Sequence, residues 1–309
     1  MSDTLGLDTS NYTTSAALCR GDTVYQQKML LPVKAGELGL RQSDAVFHHV
    51  QQLPQVMEAL LNNGASIQAV GASARPRDLE GSYMPCFTVG LGTASAISLT
   101  LGVPMHTFSH QAGHIAAALY SAGRLDLLQK KFIAFHVSGG TTEAVLVTPD
   151  AQNVFNVKII GQSLDLKGGQ AVDRVGAMLG LAFPSGRALE QLALQTNAEF
   201  SIKPSLKGTG CSLSGIENQC RKLLDTGAPK QEIAAYCLQS ILSALDAMTA
   251  VLLKQYGDLP LLFAGGVMSN SMIRTALTGK YGAYFAAPEF SADNAAGIAV
   301  LTSIKEALL

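Results

Sequence analysis

Charge is scarce in this 309-residue chain: 15% of its residues are Asp, Glu, Lys or Arg, against about 25% in an average domain. Neither sign prevails, with 22 Lys and Arg facing 23 Asp and Glu. So balanced a chain lacks the basic surface that coats nucleic-acid phosphates. With 48% hydrophobic residues it is not disordered either. No C-x-x-C pair occurs, and the five cysteines (Cys19, Cys86, Cys211, Cys220, Cys237) are odd in number. That argues against an evenly bridged secreted framework and for reduced thiols in a cytoplasmic protein. The N-terminus carries Asp3 and Asp8 and no basic region, so it does not read as a signal peptide. From Ser82 to Gly123 there is no charged residue, but Pro85, Pro104 and several glycines interrupt the stretch. No run of about 20 apolar residues survives there. It reads as buried helix and strand of a soluble protein, not as a membrane span.

The length suggests about two domains. Three segments share a pattern of apolar strand followed by a small Gly/Ser/Thr cluster: Leu5 to Cys19, Phe132 to Thr148 and Pro260 to Leu277. The first two predict β-hairpins with a polar tip, because apolar and β-branched residues resume at once. The third predicts strand, Gly-Gly turn, helix. Helical patterns span Val46 to Asn62, Thr93 to Leu101, Asp173 to Leu181, Arg187 to Gln195 and Lys230 to Gln255, with a last helix from Asn294 to Leu309. The helix from Lys230 is apolar over most of its surface, which predicts burial. GLGTAS, Gly90 to Ser95, could open a dinucleotide-binding helix, but the acidic residue expected about 20 positions on is missing until Asp126.

SHQAGH, Ser109 to His114, is the sharpest chemical feature. A helix presents His110 and His114, four apart, on one face, as metal ligands or as two unrelated rings. His106 falls in a segment that reads as strand. Gln111 stands where a zinc peptidase of the H-E-x-x-H kind needs its glutamate, and an amide cannot take a proton from water, so peptidase chemistry does not fit. Asp293, just before the last helix, could be its N-cap. Asp173 could sit in a first helical turn, favoured there by the macrodipole. Gly186 could be a turn residue and Asn270 a helix cap.

SHQAGH, VSGG (Val137 to Gly140), AVDRVGAMLGLAFPSG (Ala171 to Gly186), SLSGI (Ser212 to Ile216), AGGVMSN (Ala264 to Asn270) and SADNAAGIA (Ser291 to Ala299) occur in the order of one family. In them the chain resembles the tRNA adenosine threonylcarbamoyltransferases, once called O-sialoglycoprotein endopeptidases or M22 glycoproteases. The resemblance implies an α/β fold of the actin/sugar-kinase/Hsp70 type, with a duplicated lobe: an N-terminal lobe of 1–128 plus 294–309, a C-terminal lobe of 129–293, and nucleotide and metal in the cleft. It implies transfer of threonylcarbamoyl from its adenylate to N6 of the adenosine beside a tRNA anticodon. The alternatives are a paralogue with another acceptor, or a non-catalytic partner of a true transferase. His110 and His114 match the family's metal histidines and Asp293 its metal aspartate. They imply one divalent metal, iron(II) first, with zinc or magnesium as alternatives. Val137, Ser138, Gly139 and Gly140 match the substrate-binding tip, with Thr141 counted to the same site, and Asp173 matches a residue that binds the nucleotide sugar. Gly186, before the helix carrying Glu190, matches the nucleotide-side glycine. Asn270 matches a substrate-contacting residue, and Gly265 with Gly266 the turn under an adenine nucleotide or threonylcarbamoyl-adenylate. Implied partners are tRNA, bound weakly by the chain alone, and protein subunits of a threonylcarbamoyl-transfer complex, with a homo- or heterodimer open.

Departures from the family pattern fall on the loops. The first tip, usually E-T-S-C-D-E-T, reads Asp8-Thr9-Ser10-Asn11-Tyr12-Thr13-Thr14, so two carboxylates become Tyr12 and Thr13. S-G-G-H-T becomes Ser138 to Thr142 with Thr141 in place of the imidazole; His136 lies nearby, compensating for it or simply buried in its strand. S-G-L-K-T becomes Ser214 to Asn218 with Glu217 in place of the lysine. A-S-R-A-H becomes Asp44 to His48 without its arginine. In the loop Arg75 to Gly90, Arg75 and Arg77 are either substitute phosphate contacts or surface charges.

Overall fold

The computed structural model describes residues 3–10, 12–32, 40–62 and 64–308. Asn11 of the first tip and Leu309 of the last helix lie outside the described residues. In chain order the elements are β1 (Asp3–Ser10), β2 (Thr13–Arg20), β3 (Thr23–Leu30), α1 (Gln42–Leu61), β4 (Ile67–Arg75), α2 (Phe87–Leu101), β5 (Met105–Ser109) and α3 (His110–Ser121). Then come β6 (Phe132–Val137), β7 (Thr142–Asp150), β8 (Val154–Gln162), α4 (Gly168–Met178), α5 (Gly186–Ala193), β9 (Ser205–Lys207), β10 (Gly210–Ser212) and α6 (Gly215–Asp225). The chain ends with α7 (Lys230–Tyr256), β11 (Leu261–Ala264), α8 (Ser271–Tyr281), β12 (Tyr284–Phe285), α9 (Pro288–Ser291) and α10 (Ala296–Leu308). Two compact units divide it: Met1–Gln129, Thr148–Val157 and Glu289–Leu309 form the first, Lys130–Val147 and Lys158–Pro288 the second.

The first unit is built on a five-stranded sheet, order β3-β2-β1-β4-β5. β1 and β2 form the expected hairpin, in register from Asp3 opposite Arg20 to Ser10 opposite Thr13, and β4 and β5 then add in parallel. Leu5, Leu7, Leu18, Val70 and Ala72 on the sheet pack with Leu53 and Val56 of α1 in a closed core. α10 crosses α3 at Gly297. A Cβ there would stand 1.8 Å from the Gly113 carbonyl oxygen, so the crossing requires glycine.

The second unit carries a sheet of order β12-β11-β6-β7-β8. β6 and β7 are antiparallel, with Val137 opposite Thr142, so residues 138–141 make the hairpin tip. β11 runs parallel to β6. Phe135 and Phe263 stack at 4.6 Å between ring centroids, and Phe263 stacks on Phe285 at 5.2 Å. Such pairs add to the stabilisation that burial alone provides. α7 is long and apolar enough to cross a membrane by length and composition, but half of its most apolar stretch is buried. Ile233, Leu238, Ile241, Leu245, Met248 and Leu252 lie in the core, as its all-round apolar pattern predicts.

Several helix limits differ from the sequence reading. α2 begins at Phe87, well before Thr93, because Gly90 is accommodated inside the helix, where its N–H donates to Thr9 Oγ1 at 3.1 Å. That contact gives the glycine of GLGTAS a packing role. α4 begins at Gly168, before Asp173, with the Gln170 side chain accepting from Lys167 N. β3, β8 and α6 have no counterpart in the sequence reading; β3 is an edge strand with mostly exposed residues and no clean apolar alternation.

Candidate metal centre and nucleotide cavity

β5 ends at Ser109, whose side chain accepts from Ala112 N at 3.1 Å and so starts α3 as its N-cap. Ser109 Oγ also donates to Asp78 Oδ2 at 2.7 Å, and Arg75 grips Asp78 through Nε and Nη2. Arg75 is thereby engaged within its own loop. The first turn of α3 presents His110 and His114 together, their Nε2 atoms 3.0 Å apart. Asp293 Oδ1 lies 3.2 Å from His114 Nε2 and 3.5 Å from His110 Nε2. Asn294 Oδ1, and not Asp293, receives Ala296 N at the start of α10, which leaves the Asp293 carboxylate to face the imidazoles. All three ligand candidates belong to the first unit.

Asp8, at the end of β1 and 1% exposed, places Oδ2 2.7 Å from His110 Nδ1. Ser10 N donates to its other oxygen at 3.0 Å, and Ser10 Oγ donates to Asp293 Oδ2 at 3.2 Å. The buried carboxylate therefore fixes Nδ1 as an N–H of His110 and directs Nε2, the nitrogen a metal would take once its proton is lost, toward His114 and Asp293. Burial alone would raise the Asp8 carboxyl, but the charge of His110 and its hydrogen bond hold it below the ordinary carboxylate value. Burial pulls His110 down, yet the charge of Asp8 and hydrogen bonds to Asp293 and Asp8 carry it well above the usual imidazole value. Asp293 is also opposed by burial, and hydrogen bonds from both imidazoles keep it well below the usual range. Two imidazole nitrogens and a carboxylate oxygen converge with edges of 3.0 to 3.5 Å. Ligands about 2.1 Å from a common cation stand about 3.0–3.4 Å apart for octahedral to tetrahedral angles, so the donor set fits a divalent metal. His106 takes no part: it sits on β5 and bonds Glu306 Oε1 at 2.5 Å. The sequence reading passed over Asp8 as a supporting residue; its position near the end of an apolar strand, before a tip of Thr9, Ser10, Thr13 and Thr14, was the available signal.

The second unit contains a cavity of about 680 Å³ lined by Gly139, Asp173, Gly186, Glu190, Gly266 and Asn270 among others. That size suits a nucleotide-sized ligand. Of the tip residues only Gly139 lines it; Val137 is fully buried in the core, and Ser138, Gly140, Thr141 and Gly265 are not part of its wall. Ser138 N donates to Thr141 O, and Thr141 N to Ser138 Oγ. The amides of Gly139 and Gly140 make no hydrogen bond among the described residues. Gly265 has φ of +100°, and a Cβ on it would meet Val137 O at 2.4 Å. Glycine thus lets the β11 turn lie against β6.

Asp173 Oδ1 accepts from Ser185 N at 2.8 Å, which leaves Oδ2 for a ligand. Glu190 Oε1 accepts from Ser271 N and Ser271 Oγ, fastening α5 to the start of α8. Asn270 does cap α8, accepting from Ile273 N at 3.1 Å, so its amide nitrogen is the group left to face the cavity. The charge-reversed Glu217 pairs with Arg174 at 3.0 Å. His136 is half-buried on β6, opposite Glu143 in the β7 register.

Solved structures share this fold. The chain aligns over 99% of its length with HypF from T. kodakarensis at a TM-score of 0.63 and 12% identity, covering 47% of that chain. It also aligns over 98% with a ROK family glucokinase from Streptomyces griseus in complex with glucose and AMPPNP, at 0.54 and 13%, covering 99% of that chain. The fold is the actin/sugar-kinase/Hsp70 type, here with a two-histidine, one-carboxylate cluster that fits a metal. The model of the family described as TsaD, tRNA N6-adenosine threonylcarbamoyltransferase, matches residues 30–300, and the chain belongs to that family. Curated relatives agree. A tRNA N6-adenosine threonylcarbamoyltransferase from Brucella anthropi is 28% identical over 96% of this chain and 88% of its own length. One from Methanopyrus kandleri is 27% identical over 84% and 75%.

Proposed function

We propose that the chain transfers a threonylcarbamoyl group from threonylcarbamoyl-adenylate to N6 of the anticodon-adjacent adenosine of tRNA. The observation that carries this reading is the convergence of His110, His114 and Asp293, backed by Asp8, in a chain of the threonylcarbamoyltransferase family. His110, His114 and Asp293 would hold the metal, with iron(II) the first candidate. When bound, that metal supplies Lewis-acid stabilisation of charge on substrate oxygens. Asp8 keeps His110 in the tautomer that ligates. In the second unit the free amide of Gly139, on the cavity wall, donates to a phosphate oxygen, and that of Gly140, next in the tip though off the wall, extends the backbone nest. Asp173 accepts from the ribose hydroxyls through its remaining oxygen. An adenine N6 amine is a poor nucleophile, so much of the rate comes from holding it against the acyl carbonyl. The two compact units correspond in this reading to the two lobes, and the five buried free thiols support a reducing, cytoplasmic setting. Partner subunits of a transfer complex are part of the same proposal.

A second reading, a paralogue with another acceptor, is favoured by one observation: Tyr12, Thr13 and Thr141 replace two carboxylates and an imidazole of the family's tips. Incubation with threonylcarbamoyl-adenylate, with and without tRNA, followed by mass analysis of products, separates the two. Modified tRNA supports the transferase. Consumption of the adenylate with tRNA unmodified, even when partner subunits are added, supports the paralogue.

A further inference from the structure

Among the residues lining the second unit's cavity, three carry charge: Asp173, Arg187 and Glu190. The two carboxylates are each engaged, Asp173 by Ser185 N and Glu190 by Ser271. Arg187 makes no hydrogen bond or ion pair with any described residue. It lies in the first turn of α5, three residues before Glu190 and so on a neighbouring part of the same helix face. A guanidinium stays charged at every physiological pH and offers five donors in a planar fork suited to phosphate or carboxylate oxygens. We infer that Arg187 is a specificity-determining residue of this cavity, one that reads an anionic group of the ligand and makes the cavity select nucleotides over nucleosides. This rests on the nucleotide reading of the cavity.

The charge is not neutralised inside the protein, so a ligand phosphate gains a charge-assisted bond at little desolvation penalty to the protein. A neutral nucleoside leaves the fork in water and gains nothing from it. The side chain is exposed, so its replacement leaves the core intact and screening keeps the effect moderate.

Calorimetry with AMP and with adenosine tests this on the full chain and on Arg187→Ala, Arg187→Lys and Asp173→Ala. The expected result is AMP binding weakened about tenfold in Arg187→Ala, adenosine unchanged, and AMP binding largely kept in Arg187→Lys. Equal weakening of AMP and adenosine in Arg187→Ala, or no change for AMP, overturns the assignment of Arg187. If Arg187→Ala fails in either way while Asp173→Ala weakens both ligands, the nucleotide cavity stands and only the assignment of Arg187 falls. If the unaltered protein binds neither ligand at millimolar concentration, the nucleotide reading itself fails, and this inference with it.

Discussion

At the scale of single residues, proton and metal compete for the same nitrogen. Without a cation, Asp8 and Asp293 hold His110 protonated to well above the usual imidazole value. A ligating imidazole must be neutral, so metal binding has to expel that proton. The folded value is raised, so the penalty is absent only above it and grows as pH falls through it, beginning above the ordinary range near 6.5. Apparent metal affinity should then drop about tenfold for each pH unit below the raised value, one proton per metal. A metal titration that is flat between about pH 6 and 8 would contradict this coupling. Asp8→Asn keeps the shape but loses the charge that orients Nδ1, and the expected loss of metal affinity is about 10–100-fold. His110→Ala should abolish binding, as elemental analysis of the purified protein would show. In the second unit, Asp173→Ala should weaken nucleotide binding by about 1–3 kcal/mol. Calorimetry on that variant with unchanged affinity would remove Asp173 from the site.

At the scale of elements, what was legible depended on whether local pattern or distant packing set the outcome. The β1–β2 and β6–β7 hairpins and α7 were readable because their apolar periodicity is strong and local. The start of α4 was not, because the sequence reading began that helix at Asp173, and Gly168 and Gly169, which are poor helix formers, fill its first turn. The histidine pair could be read from its spacing, whereas Asp293 became a ligand candidate only through the resemblance to the family. What frees it is Asn294 taking over the first-turn N–H of α10, a choice between adjacent residues that spacing cannot make. Asp8 shows the same limit, since its partner His110 is distant in sequence and reached only through the register of β1 beside β4 and β4 beside β5. The crossing of α10 over α3 gives a test of this packing. Gly297→Ala drives a methyl toward the Gly113 carbonyl, and the expected destabilisation is about 1–3 kcal/mol. Gly279 of α8 is the control: it is exposed with open space around it, and Gly279→Ala should raise stability by about 0.5–1 kcal/mol. Denaturant unfolding that ranks the two the other way would refute the close crossing.

At the scale of the whole molecule, a chain of net charge -1 offers a polyanion, the tRNA of the proposed reaction, little net attraction. Its 22 Lys and Arg are matched by 23 Asp and Glu, and five of the cations are committed to ion pairs among the described residues. Arg20 pairs with Asp3, Arg75 with Asp78, Arg124 with Asp126, Arg174 with Glu217 and Lys280 with Asp246. A paired cation has its own carboxylate to replace before it can hold a phosphate, so each adds little to nucleic-acid affinity. The salt dependence of binding scales with the number of phosphates neutralised, by a slope of about -0.9 per contact on duplex. A chain whose cations are matched by as many anions, and which contacts only about two to four phosphates, should therefore bind tRNA weakly, losing about tenfold to a hundredfold between about 50 and 200 mM salt. Partner subunits that bring their own basic surface should raise the affinity and steepen that slope, because they add contacts. Filter binding across a salt series, with the chain alone and with candidate partners, measures both quantities. Tight binding by the chain alone that salt hardly affects would mean that the tRNA is held by base and shape contacts, and the dependence on partners would then have to be given up.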